Sequence, residues 1–452
     1  MQAPTSIPNQ FQALIESKEA KYYIEQERID KSVVLSEAHL LDTLVPAIAS
    51  GAMAHVALRE AAIRNRRALD SVEPVVDALW DSHFRKQRNF GPTREEVERK
   101  VRFAFANKEP ITLVALMFTR KNVCALKRNG HDTATADMAE ALSLAHLNSF
   151  AELISRFYPH GVHYIILSEG QRFARTFELD YKSIDLYQHR LERWIDRLGL
   201  QHLEVIDYEK FLSLKLDHEQ WQQRIAGYEK ALNLYHTLMD PIYDPNNLAS
   251  TLEKAISLDP VLDSRNLRNN FVPLWDSIKH SLPYPEISAI SNELGMEYVE
   301  LYREIFKDLE HRHHDERMEN LRKQVLTKSW QAAIEHNSRV MGDVKAGVDV
   351  ATLISESTFR TTINPKPGSP NIGIYSVRET TSRVQPWHGT AYLRLDGESR
   401  LLPTVLSKLE IESHGGIPIC IGTKQNYPFF YCHMDAVEIV RSGDPKFNMS
   451  TH

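Results

Sequence analysis

Ile111-Thr112-Leu113-Val114-Ala115-Leu116-Met117-Phe118 is a nearly continuous apolar run of strand length. A strand with one wet face alternates apolar and polar residues, whereas one covered on both faces does not. The run therefore predicts a strand inside a layered sheet, and the next ninety residues repeat the theme. Asp137, with Glu140 three residues later, opens a helix whose apolar stripe is Met138, Leu142, Leu147, Phe150, Leu153, Ile154 and Phe157. Pro159-His160-Gly161 stops that helix, and His163-Tyr164-Ile165-Ile166-Leu167 reads as a second buried strand ending in Ser168-Glu169-Gly170. Ser183 is placed to cap a second helix, which carries Leu186, Leu191, Trp194, Ile195 and Leu198, with Gly199 suited to the left-handed position after its end. Leu203-Glu204-Val205-Ile206 is a third strand. The alternation predicts an α/β fold, a Rossmann-like open sheet with helices on both faces and right-handed parallel crossovers. Ligands of such sheets sit beyond the carboxyl ends of the strands. Here those ends carry Lys121-Asn122 and Ser168-Glu169.

Outward from this core the pattern changes. Residues 1–10 are rich in Pro, Gln and Asn, and 12–89 read as helical, with Leu40, Leu41, Leu44, Val45 and Ile48 at spacings of three and four. Gly91-Pro92 breaks the chain, and Thr93 with Glu96 forms a capping-box signature for a helix to about Asn107. Residues from about 210 to 345 are charged and mostly helical, interrupted at Asp240-Pro241 and Ser281-Leu282-Pro283. From about Phe359 strands return, over 360–363, 372–377 and 417–421, with a hairpin signal at Asp396-Gly397. The expected division is N-terminal helices (1–97), the first part of the α/β core (98–210), a helical insertion (211–345), a strand-rich second part of the core (346–435) and a tail (436–452).

Composition excludes several classes. Lys plus Arg number 54 against 60 Asp plus Glu, a net charge of −6, which argues against nucleic acid or an acidic membrane as the main partner. Three cysteines, none in a Cys-x-x-Cys pair, build no disulfide framework. No apolar run approaches the roughly 20 residues of a membrane span, and the N-terminus lacks a secretory apolar core. The expected compartment is a reducing cytoplasm. No Gly-x-Gly-x-x-Gly, Walker loop, Gly-x-Ser-x-Gly or His-Glu-x-x-His occurs in the required context.

Four clusters are candidates for chemistry. His311, His313 and His314 lie in the charge-saturated run 310–317, after the buried stripe Tyr302, Ile305, Phe306 and Leu309, so a solvated helix face is favoured over a metal site. Lys121-Asn122 and Lys127-Arg128 come after the first strand and suit either a solvated loop or an anion clamp. Ser168-Glu169-Gly170 is either a strand-end turn or a hydroxyl and carboxylate at a site. Pro386-Trp387-His388-Gly389 places an imidazole between an indole and a glycine, either as a satisfied core group or as an acid/base.

Taken together, these clusters resemble a known family. Phe118, Lys121 and Lys127 match the Phe-Pro-x-Lys-x-x-Asn-x-x-Lys pattern of the pyoverdine/dityrosine biosynthesis family, whose characterised bacterial members are amino-acid isonitrile synthases. Asp137 and Glu140 match its Pro-Asp-x-x-Glu, and Ser168-Glu169-Gly170 with Phe173 is similar to its Ser-Asp-Gly-x-x-Phe. Residues 360–365 resemble Arg-Leu-Ser-Ile-His-Pro, and Pro-Trp-His-Gly at 386–389 is unchanged. The resemblance covers about 98–210 and 328–432. Thr119, Cys124, Glu169 and Asn364 depart from it, standing where the family has proline, asparagine, aspartate and histidine.

The resemblance implies condensation of an amino-acid amine with the ketone of ribulose 5-phosphate, then fragmentation to an isonitrile, with no metal and no cofactor. It implies His388, Lys121 and Glu169 as catalytic residues. Lys127, Asn122, Arg360, Ser168, Arg175, Trp387 and Asn364 are implied for substrate binding. The expected partners are the amino acid and the sugar phosphate, with homo-oligomerisation left open. Two other readings stay open: formylation-type N-modification on the same scaffold, motivated by Cys124 and Asn364, and a non-catalytic descendant using 210–345 as a partner-binding surface.

Overall fold

The computed structural model describes residues 31–67, 71–86, 90–121, 134–262, 271–296, 298–307, 309, 311–363, 365, 369–377, 384–424 and 427–449. Among these residues, ten strands form two five-stranded sheets, with helices against both faces of the first.

The first sheet has the order β4-β3-β2-β5-β6, where β2 is Ile111–Leu116, β3 Val162–Ser168, β4 Leu203–Asp207, β5 Thr358–Thr362 and β6 Ile372–Gly373. Every pairing is parallel, with Leu113 opposite Tyr164 and Phe359, and Ile165 opposite Glu204. Alternate residues serve two layers. Leu113, Ala115, Tyr164, Ile166 and Val205 face the main core, while Val114 and Leu167 pack with Tyr208, Phe211, Leu212, Val350 and Ala351 on the other side. This double coverage is why the sequence of β2 does not alternate.

The helix Met138–Ser155 is buried along nearly its whole length and packs against β3, the helix Val45–Arg64 and the later strand Thr390–Leu395. Its start is the capping box expected from Asp137 and Glu140, and Thr93 with Glu96 forms another. The helix Tyr181–Leu198 differs from expectation at its start. Asp180, not Ser183, accepts the Lys182 N–H, because a carboxylate just outside the first turn meets the unpaired N–H groups directly. Gly199 takes the left-handed conformation at its end, with φ of 63°.

The second sheet has the order β1-β9-β10-β7-β8: β1 is Val33–Leu35, β7 Thr390–Leu395, β8 Leu401–Leu406, β9 Ile417–Ile421 and β10 Phe430–Cys432. The Asp396-Gly397 turn joins β7 to β8 as an antiparallel pair. The C-terminal strands therefore divide between two sheets, β5 and β6 completing the first. Val33–Leu35 lies in the stretch read as helical. It is a strand because Val33, Val34 and Leu35 pair in parallel with Ile419, Cys420 and Ile421, a partner too distant in sequence for local periodicity to report.

Between β4 and β5 the chain is helical. The helices His218–Met239 and Glu316–Lys345 run together, and Trp330, Ile334, Leu326 and Tyr302 build a separate apolar core. Phe173 and Phe177, from the turn after β3, belong to that core and join it to the first sheet. His311 and His314 are exposed and precede the helix that Asp315 caps, so they do not share a helical face. The segment Glu37–Arg64 is long and apolar enough by composition to cross a membrane, but Leu44, Ile48, Val56 and Ile63 are buried in the main core.

Candidate active site

Beyond the ends of β2 and β3 the backbone is forced into close contact. Phe118 has φ of +58°, a conformation costly for a side chain with a Cβ. Its carbonyl accepts the Ser168 hydroxyl at 3.0 Å. Gly170 lies against the same turn, where an added Cβ would stand 2.7 Å from the Thr119 carbonyl oxygen and 2.5 Å from Ile184. The strained turn is thus held by a hydroxyl and by a residue without a side chain.

Pro386-Trp387-His388 forms one turn of 3₁₀-helix that lands on this turn. The Trp387 ring packs on Phe118 with centroids 4.9 Å apart. Gly389 comes next in extended backbone, and a Cβ there would meet Val384 at 2.5 Å and the Leu406 carbonyl oxygen at 2.8 Å. His388 is half-buried, with its ring 6.0 Å from that of Trp387.

Beneath the turn sits a buried ionic knot. The Lys121 ammonium, fully buried, donates to Glu140 at 2.7 and 2.9 Å and to the Pro386 carbonyl at 2.9 Å, and pairs with Asp137 at 2.9 Å. Glu140 also accepts from the Tyr187 hydroxyl at 3.0 Å and from the Asp137 N–H at 3.0 Å. Burial pushes the Glu140 carboxyl up to about 8, opposed by Lys121 and reinforced by Asp137. Two acids share one ammonium, so the knot favours retention of a proton.

A second polar group gathers on the side of the helical insertion. Arg172 donates to Glu169 at 2.5 Å and to Asp343, which also accepts from the Tyr208 hydroxyl at 2.7 Å and Arg224 at 2.5 Å. Arg224 grips Glu209 through two further bonds of 2.5 and 2.6 Å. Burial raises the Glu169 carboxyl, opposed by Arg172 and more weakly by Arg360. Arg360 is half-buried on β5, level with Val114, and makes no hydrogen bond or ion pair among the described residues. His336 stacks on Phe173 at 4.2 Å, and burial, Arg172 and Arg339 lower it to about 3.

The expected site residues therefore divide. Lys121, Ser168, Trp387 and His388 meet at the strained turn. Glu169 and Arg360 belong to the second group, joined to the first where Ser168 and Gly170 touch residues 118–119. Lys121 is not a solvated clamp: its ammonium is enclosed and occupied by the chain's own acceptors. Arg175 is exposed on the turn after β3, where its charge acts on Tyr228. Asn122, Lys127 and Asn364 lie outside the described residues. The sequence reading missed Arg172, Asp343, Tyr208 and Arg224, which come from three separate helices and one turn and share no spacing pattern. It also missed Arg120, whose guanidinium donates to the Ser281 carbonyl and ties the strained turn to the insertion. The one available signal was an arginine within the motif after β2, directly before Lys121.

A family model described as pyoverdine/dityrosine biosynthesis protein matches residues 101–412, a span that contains both polar groups. The chain belongs to this family. Among curated members, an L-tyrosine isonitrile synthase from Xenorhabdus nematophila is 36% identical over 87 residues, which is 19% of this chain and 26% of that protein. One of the same description from Pseudomonas aeruginosa is 34% identical over 100 residues, 21% of this chain and 30% of that protein. The aligned stretch thus spans less than a third of either relative. The crystal structure of the PvcA protein from Pseudomonas aeruginosa aligns with 79% of this chain and 99% of its own, at a TM-score of 0.49 and 20% identity. Of the blocks that carry the resemblance, Pro-Trp-His-Gly lies at the strained turn and Glu169 stands in the second group.

Proposed function

We propose that this protein is an enzyme of the isonitrile-synthase type, joining an amino-acid amine to the ketone of ribulose 5-phosphate. The observation that carries this reading is the meeting of Pro386-Trp387-His388 with the turn after β2, tied through Lys121 and Phe118. Both curated relatives named above are isonitrile synthases of L-tyrosine, which makes L-tyrosine the first amino acid to test.

The proposed reaction begins with addition of the amine to the ketone carbon. Water leaves as the imine forms. Both C–C bonds of the former carbonyl carbon then break. C1 departs as formaldehyde, leaving its bonding pair on that carbon, and C3–C5 departs with the other pair and a proton as a three-carbon phosphate. The carbon stays on nitrogen as the isonitrile. His388 supplies the general acid/base, since an imidazole exchanges protons near neutral pH. Arg360, which makes no hydrogen bond or ion pair among the described residues and acts on Glu169 only through its charge, draws the sugar phosphate. Glu169, held by Arg172, is the acceptor for a sugar hydroxyl or the amine. Lys121 acts as a positioning residue, setting the Pro386 carbonyl and hence the turn that bears His388. Asn122, Lys127 and Asn364 complete the proposed contacts to substrate.

Incubation with ribulose 5-phosphate and single amino acids, followed by mass spectrometry, tests this. Consumption of both with an isonitrile product supports the proposal. A product heavier by one water is the formamide and moves the chain to N-formylation chemistry. No turnover with any amino acid rejects the reaction.

A further inference from the structure

A concave site away from both polar groups lies between the helix Tyr181–Leu198 and the second sheet. It is an open hollow of about 320 Å³, within the range of small-molecule pockets, lined by Leu40, Ala136, Trp194, Ile421 and Phe429 together with three arginines, Thr135 and the carboxylate of Glu37. Arg190, Arg193 and Arg197 succeed one another at spacings of three and four along that helix, so they stand on one face. Trp194 is fixed by donating its indole N–H to the Ala136 carbonyl at 3.0 Å, with the Phe429 ring 6.1 Å away.

The three cations are not equally occupied. Arg190 donates to the Thr135 hydroxyl at 3.2 Å. Arg197 stands 5.8 Å over the Trp194 ring and reaches Glu37 only at 3.9 Å, with that carboxylate 71% exposed. A pair so long and so wet contributes little. Arg193 is exposed and makes no ion pair or hydrogen bond among the described residues. An apolar floor beneath three arginines, in a chain of net charge −6, is complementary to a molecule with a flat apolar body and an anionic head.

We propose that this pocket binds a small amphipathic anion, its ring over Trp194 and Phe429 and its carboxylate or phosphate on Arg193 and Arg197. The site uses none of the residues assigned to the reaction and does not rest on that assignment. The direct probe is 1-anilinonaphthalene-8-sulfonate, an aromatic anion whose fluorescence rises in an apolar site. Binding should saturate at one probe per chain and weaken with salt. Arg193→Glu and Arg197→Glu should each weaken it by about tenfold or more, because a charge-assisted contact is replaced by repulsion. His388→Ala should leave it unchanged. Both arginines are exposed, so unaltered melting temperatures will show that the variants fold. Competition by phenyl phosphate or by 3-phenylpropanoate will tell a phosphate from a carboxylate ligand. Unsaturable binding, or the same affinity in both arginine variants, overturns the proposal.

Discussion

The ammonium of Lys121 donates to the Pro386 carbonyl at 2.9 Å across 265 positions of sequence, while the same group holds Glu140 at 2.7 Å. One buried cation thereby neutralises the start of a central helix and fixes the turn that carries His388. Replacing it with methionine keeps most of the volume and removes the charge. Lys121→Met should cost about 3–5 kcal/mol in urea unfolding, because the buried pair Asp137 and Glu140, which retains one proton, loses the counter-charge for the charge it keeps. Adding Glu140→Gln should recover part of that loss in stability but not restore turnover, since the Pro386 carbonyl stays without its donor.

Glu140 gives the protein a pH signature. Burial lifts its carboxyl from 4.5 to about 8, so the folded chain keeps a proton that the unfolded chain has released across that interval. Unfolding then releases a proton, and this group's contribution makes stability fall as pH rises from about 4.5 to 8. Comparing Glu140→Gln with the wild type by urea titration should show the variant losing that contribution, up to about 1.4 kcal/mol per pH unit. Parallel pH profiles of the two proteins would contradict it.

His55 and His146 act in the opposite sense. Both are buried, their ring nitrogens have no partner among the described residues, and burial lowers them to about 4 and about 3. They fold neutral, whereas the unfolded chain takes up protons below 6.5, so their contribution is intact above 6.5 and lost as pH falls toward 3–4. His146 packs 5.1 Å from Phe84, and His146→Phe should keep the ring contact while reducing the acid slope by about one proton. Stability against pH, followed from 7 to 4, checks this.

Arg360 and His388 should separate kinetically. Arg360→Gln should raise KM for ribulose 5-phosphate by about tenfold. His388→Ala should lower kcat by about 10²-fold or more with little change in melting temperature. Loss of kcat in Arg360→Gln with unchanged KM would remove Arg360 from phosphate binding.

Much of this architecture was legible locally. The unbroken apolar run of β2, the capping boxes at Thr93 and Asp137 and the Asp396-Gly397 hairpin each declare themselves within a few residues. Val33–Leu35 did not, because a three-residue strand is specified by a partner near Ile419. The same divide runs through the site. Lys121, Ser168, Trp387 and His388 sit in short motifs at strand ends, where the sequence alone singles them out as candidates. The enclosure of Lys121 was not visible, since burial depends on Glu140, Tyr187 and Pro386 arriving from elsewhere. Arg172, Asp343 and Arg224 meet only because the insertion folds back against the turn after β3, a contact that no spacing rule encodes.

The decisive experiment is mass-spectrometric analysis of the purified protein with ribulose 5-phosphate and L-tyrosine, alongside His388→Ala. The wild type should give a tyrosine-derived isonitrile, and the variant about 10²-fold less or none. Isonitrile formed at equal rates by both proteins would contradict the role of His388. No product from ribulose 5-phosphate with any amino acid would contradict the reaction itself.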